Sequence, residues 1–157
     1  MSHSHRGIPL TRRQVACGLA GIALLPLGTG ARATGGDQLS EALSRLTGGA
    51  VAKEGRVTLD LPALAENGFS VPLTITVDSP MSAADHVKAI HILSEKNPVA
   101  EVARFNLGPR AGRAKVSTSV RMADTQRVLA VAEMSDGSYW TGGAEIVVTL
   151  SACIDGG

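Results

Sequence analysis

Cys153 is the residue of this sequence best placed to do chemistry on another molecule. Only four residues follow it, and the segment 151–157 reads Ser-Ala-Cys-Ile-Asp-Gly-Gly. A thiolate is both a nucleophile and a point of covalent attachment. A tail that ends in two glycines is too free to hold a general base in fixed geometry beside the sulfur. The pattern therefore favours a covalent handle over a catalytic cysteine. An idle or disulfide-forming cysteine is the alternative that these residues leave open.

Other residues that bind metals or phosphates occur in unfavourable patterns. His86 and His91 are five positions apart, a spacing that places them on opposite faces of a strand. The glycine pairs at 35–36 and 48–49 lack the context of a P-loop or a dinucleotide-binding turn. We therefore expect ordinary surface or edge histidines, no metal site and no cofactor.

The first 33 residues have the order of an export signal. Arg12 and Arg13 form a twin-arginine pair, and an apolar run follows at 15–27. That run is about 13 residues long, which is short of the ~20 needed to span a bilayer. Small residues around Ala33 match the site that a signal peptidase reads. We expect a Tat-type signal peptide at 1–33, cleavage after Ala33 and a periplasmic protein that is not held in the membrane.

Loss of this leader would change both the charge and the cysteine count. The chain has 15 Lys+Arg and 14 Asp+Glu; the leader holds four arginines and no acid, which leaves 11 basic and 14 acidic side chains. A net charge of −3 argues against a nucleic-acid partner. Cys17 would leave with the leader, so Cys153 would be the only cysteine and could form no internal disulfide. The remaining 124 residues suffice for one domain with its own core.

The segment 34–55 is predicted to contain a short amphipathic helix and a linker. Asp37 is the predicted N-cap, and the glycines at 48–49 are the predicted stop. So short a helix should pack on the domain or on a partner. Its apolar stripe, spaced i, i+3, i+4 and i+7, consists of Leu39, Ala42, Leu43 and Leu46.

Residues 56–150 alternate between apolar and polar side chains, as strands do. The run 128–134 is apolar on both faces, which predicts a central strand. Pro72 predicts an edge or a strand start. The dipeptide at 136–137 predicts a two-residue hairpin, and the glycines at 142–143 predict a bulge or kink. Strands are expected at about 57–61, 71–77, 86–93, 103–107, 114–122, 128–134 and 139–150. The predicted fold is all-β: an immunoglobulin-like antiparallel β-sandwich of about seven strands, preceded by the helix.

Several short motifs, in order, resemble the SoxY family of sulfur-oxidation carrier subunits. The similarity covers roughly 37–157 and ends in the tail cysteine. The motifs are Leu64-Ala65-Glu66-Asn67-Gly68 followed by Val71-Pro72, then Asp78-Ser79-Pro80-Met81, Ser94-Glu95-Lys96-Asn97-Pro98 and Ala132-Glu133-Met134-Ser135-Asp136-Gly137.

This resemblance implies a periplasmic carrier that catalyses nothing itself. By position, Cys153 would hold thiosulfate-derived sulfur covalently, and 151–157 would be the carrier arm. A SoxZ-like β-sandwich subunit would complete a heterodimer. A SoxAX-like c-type cytochrome would attach thiosulfate, a SoxB-like hydrolase would release sulfate and, where present, a SoxCD-like dehydrogenase would oxidise the remaining sulfur. The alternative is a divergent paralogue that serves only as an interaction module.

The tail departs from the family pattern Gly-Gly-Cys-Gly-Gly. Ser151 and Ala152 replace the leading glycines, while Ile154 and Asp155 separate the cysteine from Gly156-Gly157. The arm is therefore stiffer and bulkier than that pattern. We expect Asp155 to disfavour both the thiolate and an anionic adduct, since like charges repel, and so to raise the thiol pKa above that of an Asp155→Gly variant.

Overall fold

The structure, a computed structural model, describes residues 35–150. In this part of the chain one α-helix and one short 3₁₀-helix accompany nine strands. The elements are α1 Gly35–Thr47, β1 Lys53–Glu54, β2 Val57–Asp60, β3 Leu64–Ala65, β4 Val71–Val77, β5 Val87–Ser94, β6 Glu101–Asn106, the 3₁₀-helix Pro109–Ala111, β7 Lys115–Val120, β8 Gln126–Met134 and β9 Tyr139–Val148.

The strands form two sheets. The large sheet has the order β1-β9-β8-β5-β6, with β3 also paired to β9, and the small sheet has the order β2-β4-β7. All seven predicted strands are present, and β8 is central as predicted. The two further strands, β1 and β3, have two residues each and run parallel to β9. Apart from these two short pairings the strands pair antiparallel, as predicted.

The main core lies between the sheets. Strand β4 alternates as its sequence predicts: Val71, Leu73, Ile75 and Val77 are buried, and the residues between them are exposed or half-buried. Pro72 lies at the start of this strand, as predicted. Strand β7 also turns its apolar side into this core. Its alternation therefore needs no partner to cover it.

Helix α1 covers the outer face of the large sheet. Leu39 is buried against Leu93, Leu129 and Val131, with the rest of the predicted stripe packed around them. The sheet is therefore apolar on both faces, which explains the continuous apolar run of β8. Within the described residues no helix is long and apolar enough to cross a membrane.

Three local predictions need correction, and the predicted end of the helix is confirmed. The helix ends at Thr47, before glycines at positive φ, as predicted, but Asp37 lies in its first turn rather than at its N-cap. The β8–β9 hairpin forms around Gly137, with a connection of four residues, 135–138, instead of two. The β8–β9 ladder continues through Gly142 and Gly143 without a register shift, so neither forms a bulge.

Gly142 is required for close packing instead. A Cβ atom at this position would lie 2.3 Å from the carbonyl oxygen of Val57. No real side chain is tolerated that close to a backbone oxygen, so the absent side chain is what lets β2 pack against β9.

Candidate functional site: the base of the carrier arm

The sequence-predicted site residues lie outside the part of the chain that the structure describes. This applies to Cys153, to the other arm residues Ser151, Ala152, Ile154, Asp155, Gly156 and Gly157, and to Arg12, Arg13 and Ala33 of the leader. What the structure does show is the end of the sandwich from which residues 151–157 continue. We call it the arm end; it comprises the loops 61–70, 95–100 and 121–125 and the last residues of β9.

The segment 63–68 holds the end of β9 with a short ladder of backbone hydrogen bonds. Val147 N donates to Ala63 O at 2.9 Å, and Thr149 N donates to Ala65 O at 3.1 Å. Gly68 N donates to Leu150 O at 2.7 Å. The last described residue before the arm is therefore fixed at its own carbonyl.

Two threonine hydroxyls reinforce this attachment. Thr149 Oγ1 donates to Glu66 O at 2.6 Å, and Val148 N donates to Thr125 Oγ1 at 3.0 Å. Thr125 belongs to the loop between β7 and β8, so β9 is tied to both of its neighbouring segments. Sequence reasoning missed Thr125 and Thr149 because their partners are 23 and 83 residues away.

Beneath this surface the arm end has an interior of paired amides. Asn97 is 6% exposed and Gln126 is 4% exposed. Asn97 Oδ1 accepts from Ala123 N at 2.9 Å and from Gln126 Nε2 at 3.1 Å, while Asn97 Nδ2 donates to Arg121 O at 2.8 Å. A buried network whose members are all paired fixes the conformation of the loops that it joins.

The same network extends into β5 and the helix. Ser94 Oγ donates to Gln126 Oε1, and Lys96 N donates to the same oxygen at 2.9 Å. Gln38 Nε2 of α1 donates to Asn97 O at 2.9 Å. The motif 94–98 is thus one half of this network. Gln126 lay outside the motifs, and its only signal was a polar residue just before an apolar run.

The surface of the arm end is unusually apolar. Six large hydrophobic side chains are exposed in the described residues, and five of them lie here; the sixth is Val51. We call four of these the apolar collar: Leu64, Phe69, Val147 and Leu150. Arg121 stacks over the Phe69 ring at 5.8 Å from its centroid. Exposed apolar clusters mark surfaces that contact other molecules.

The described residues contain no group of three or more His, Cys, Asp or Glu side chains that could hold a metal. The two groups with a shifted pKa, Lys88 and Asp136, lie near the opposite end. A hydrogen bond and the charge of Glu133 raise the pKa of Lys88, and hydrogen bonds from Ser138 lower the pKa of Asp136.

The two histidines do not meet. His86 Nδ1 lies 3.1 Å from Ser82 O at the sheet surface. His91 is 2% exposed, so the expectation of a surface or edge histidine is wrong for this residue. Its Nδ1 lies 2.8 Å from Glu101 Oε1, and its Nε2 is buried without a partner. Burial on the helix-covered face of β5 was not visible from the spacing of the histidines.

A family model described as "Sulfur oxidation protein SoxY" matches residues 43–153. The chain belongs to the SoxY family. The matched range includes the last five residues of the helix, the whole sandwich and Cys153 as its last residue. The fold and the family predicted from the sequence are therefore confirmed.

Solved structures agree with this assignment. The SoxY sulfur carrier protein from Chlorobium limicola f thiosulfatophilum superposes with a TM-score of 0.62 at 27% identity, over 74% of this chain and 96% of that one. Superoxide reductase (neelaredoxin) from Ignicoccus hospitalis gives 0.52 at 16% identity, over 60% and 80% of the two chains. A putative superoxide reductase from Thermotoga maritima gives 0.51 at 18% identity, over 62% and 87%. The two reductases show a shared sandwich alone. No curated protein matches the sequence.

Proposed function

We propose that this SoxY-family chain is a periplasmic carrier that holds sulfur intermediates covalently on Cys153. The observation that carries the proposal is the family match, which spans the sandwich and reaches Cys153. The likeness to a sulfur carrier of known structure supports the same role. The chain acts as a carrier and not as an enzyme: the arm brings its cargo to partners that supply the chemistry.

The geometry of the arm end suits this role. Leu150 is fixed at its carbonyl, and Cys153 is three residues further on. At ~3.3–3.6 Å per residue the thiol reaches up to about 10 Å beyond that point. A fixed base with a short tether presents the sulfur to another protein's active site while limiting the volume that it explores.

The loading step joins the Cys153 sulfur to the outer sulfur of thiosulfate. The new S–S bond is formed by a two-electron oxidation: the thiol proton goes to solvent, and both electrons go to a SoxAX-like cytochrome partner. The product is a cysteine S-thiosulfonate. A SoxB-like hydrolase then adds water at the sulfonate sulfur, which releases sulfate and two protons and leaves a persulfide anion on Cys153. A SoxCD-like dehydrogenase, where present, oxidises that remaining sulfur.

Mass spectrometry of the native protein tests the proposal. Protein purified from cells that are fed thiosulfate, with its partners active, should begin at residue 34 and carry sulfur-containing additions that map to Cys153. The additions should vanish in Cys153→Ser and persist in the control Cys17→Ser, whose cysteine lies in the leader. Native protein without any addition at Cys153 would overturn the carrier role and leave an interaction module.

A further inference from the structure

Arg121 is the one basic side chain of the arm-end loops that no described residue neutralises. Lys96, the other basic residue of these loops, pairs with Asp124 at 3.8 Å. Arg121 is exposed and forms no ion pair within residues 35–150. Its guanidinium lies over the Phe69 ring instead, at 5.8 Å from the centroid. Stacking engages the face of the guanidinium and leaves the N–H donors at its edge available for an anion.

Backbone hydrogen bonds hold Arg121 beside the root of the arm. Gly68 N donates to Leu150 O at 2.7 Å, and Gly68 O accepts from Met122 N at 2.8 Å. A single glycine therefore links the last described residue to the neighbour of Arg121, so that Leu150 O and Met122 N are at most about 9 Å apart. Cys153 reaches up to about 10 Å from Leu150, and the long arginine side chain adds its own reach. The thiol and the guanidinium can therefore meet.

Buried contacts fix the loop that carries Arg121. Asn97 Nδ2 donates to Arg121 O at 2.8 Å, and Asn97 Oδ1 accepts from Ala123 N at 2.9 Å. Met122, which lies between these two bonds, is fully buried. The backbone of Arg121 is thus held in place before any ligand arrives, which lowers the ordering cost of binding.

The cargo that the proposed function assigns to Cys153 is an anion. A cysteine S-thiosulfonate ends in a sulfonate group with three oxygens and one negative charge. The exposed carboxylate of Glu66 and that of Asp155 in the arm would repel it. An unpaired guanidinium would offset this repulsion, and its fork of N–H donors matches two oxygens of an oxyanion.

We propose that Arg121 is an anion subsite for the loaded arm: its guanidinium, supported by Phe69, binds the sulfonate of the adduct on Cys153. The identity of the anion rests on the proposed function. The choice of residue rests on its unpaired charge, its stacking and the backbone link through Gly68. A sulfonate offers more acceptor oxygens than the persulfide that remains after hydrolysis. The subsite therefore holds the arm while the sulfonate is present and releases it once sulfate has left.

Chemical loading tests the subsite without a cytochrome partner. The Cys153 thiolate attacks a central sulfur of tetrathionate, a new S–S bond forms as the central S–S bond breaks, and thiosulfate leaves with the electron pair. The product is the S-thiosulfonate of the proposed loading step. Protein purified from cells, with any bound subunit retained, is first reduced. Mass spectrometry of the Cys153 peptide then gives the reaction rates with anionic tetrathionate and with neutral iodoacetamide. The ratio of the two rates cancels the thiolate fraction, on which both depend.

Arg121→Gln should lower this ratio about three-fold, the size expected for loss of an exposed ion pair, and Arg121→Lys should restore part of it. The matched control is Arg110→Gln, which removes another exposed charge without an ion pair among the described residues, before the start of β7. It should leave the ratio unchanged. In nuclear magnetic resonance spectra the Arg121 Nε–H signal should shift on loading with tetrathionate. It should not shift on alkylation with iodoacetamide, whose adduct is neutral.

Several outcomes would overturn the inference. Equal ratios for the wild type and Arg121→Gln would do so, as would an equal fall for Arg110→Gln, which would mean that only net charge matters. An Arg121 signal that shifts in unloaded Asp155→Asn but not on loading would assign the guanidinium to the arm's own carboxylate. If the ratios are equal while native protein carries sulfur on Cys153, the subsite is wrong and the carrier role stands. If native protein carries none, the carrier role fails and the subsite fails with it.

Discussion

The two ends of the sandwich are held by different kinds of contact. At the arm end, buried amides and a backbone ladder fix the loops, and large apolar side chains face outwards. The opposite end, which we call the far end, comprises the loops 78–86, 107–114 and 135–138. There, short polar contacts at the surface close the turns.

At the far end, polar groups of the loops form hydrogen bonds and an ion pair with one another at the surface. Ser82 Oγ accepts from Asp85 N at 3.0 Å, and Arg56 pairs with Asp85 at 3.2 Å. Asp136 accepts from both the backbone and the hydroxyl of Ser138, at 2.8 and 2.7 Å. These groups are water-accessible, so each contact contributes little to stability.

The contrast suggests that the two ends have different structural roles. Under the proposed function, the arm end would carry the arm and contact other proteins, which calls for a rigid interior and a surface with apolar area left uncovered. An end that only closes turns needs neither. Substitutions at each end test this difference.

The largest effect is expected for Asn97→Ala at the arm end. The change leaves Ala123 N and Arg121 O without their partner in a buried site, and Gln126 Nε2 keeps only its weak contact with Met122 Sδ at 3.4 Å. Each orphaned group costs ~1–3 kcal/mol, so the free energy of unfolding should fall by about 3–5 kcal/mol. Urea denaturation measures this loss. The matched far-end variant Ser135→Ala removes two hydrogen bonds at a half-buried surface site that water can reach, and should cost about 1 kcal/mol. Similar losses for both variants would contradict the contrast.

An intermediate effect is expected for Gly142→Ala, where β9 touches the far-end start of β2. The new methyl group would meet the Val57 carbonyl oxygen at 2.3 Å, and a backbone atom can move only if the strands separate. We expect a loss of roughly 2–3 kcal/mol, in the range of overpacked cores. In Gly143→Ala the nearest atom is a Leu129 methyl at 2.7 Å, which can rotate away, so the loss should be smaller. Thermal unfolding of both variants gives the two losses in stability. A greater loss for Gly143→Ala would mean that the close approach of β2 to Gly142 does not limit the packing of these strands.

The sequence predicted what depends on periodicity. Strands such as β4 and the helix stripe follow from alternation at period two and at i, i+3, i+4, because these elements bury one face. Strand β8, which is buried on both faces, follows instead from its continuous apolar run. The two-residue strands β1 and β3 show no period, and they exist only because the edge of β9 offers a ladder.

Contacts between residues that are far apart in the sequence could not be predicted from periodicity. Asn97 and Gln126 are 29 positions apart, and nothing in either segment indicates that they pair. His91 lies in an apolar strand, but only the docking of α1 shows that its side of the sheet is covered. The resemblance to a family placed 94–98 among important segments, and the structure gives the physical reason, a loop locked by buried amides.

The smallest effect is expected at the far end, for the pH dependence of Asp136. Hydrogen bonds from Ser138 lower the pKa of this carboxyl below its usual value. A carboxyl with a lowered folded-state pKa stabilises the protein above its unfolded pKa of ~3.9, and the contribution is lost as pH falls through the folded pKa. Asp136→Asn keeps an acceptor oxygen but cannot titrate. Its urea midpoint should lie slightly below that of the wild type at pH 7, and the two should converge once the pH falls below the folded-state pKa. Curves that stay parallel down to that pH would show that the turn is held by its backbone, with Gly137 at φ +81°, and that the carboxylate adds nothing.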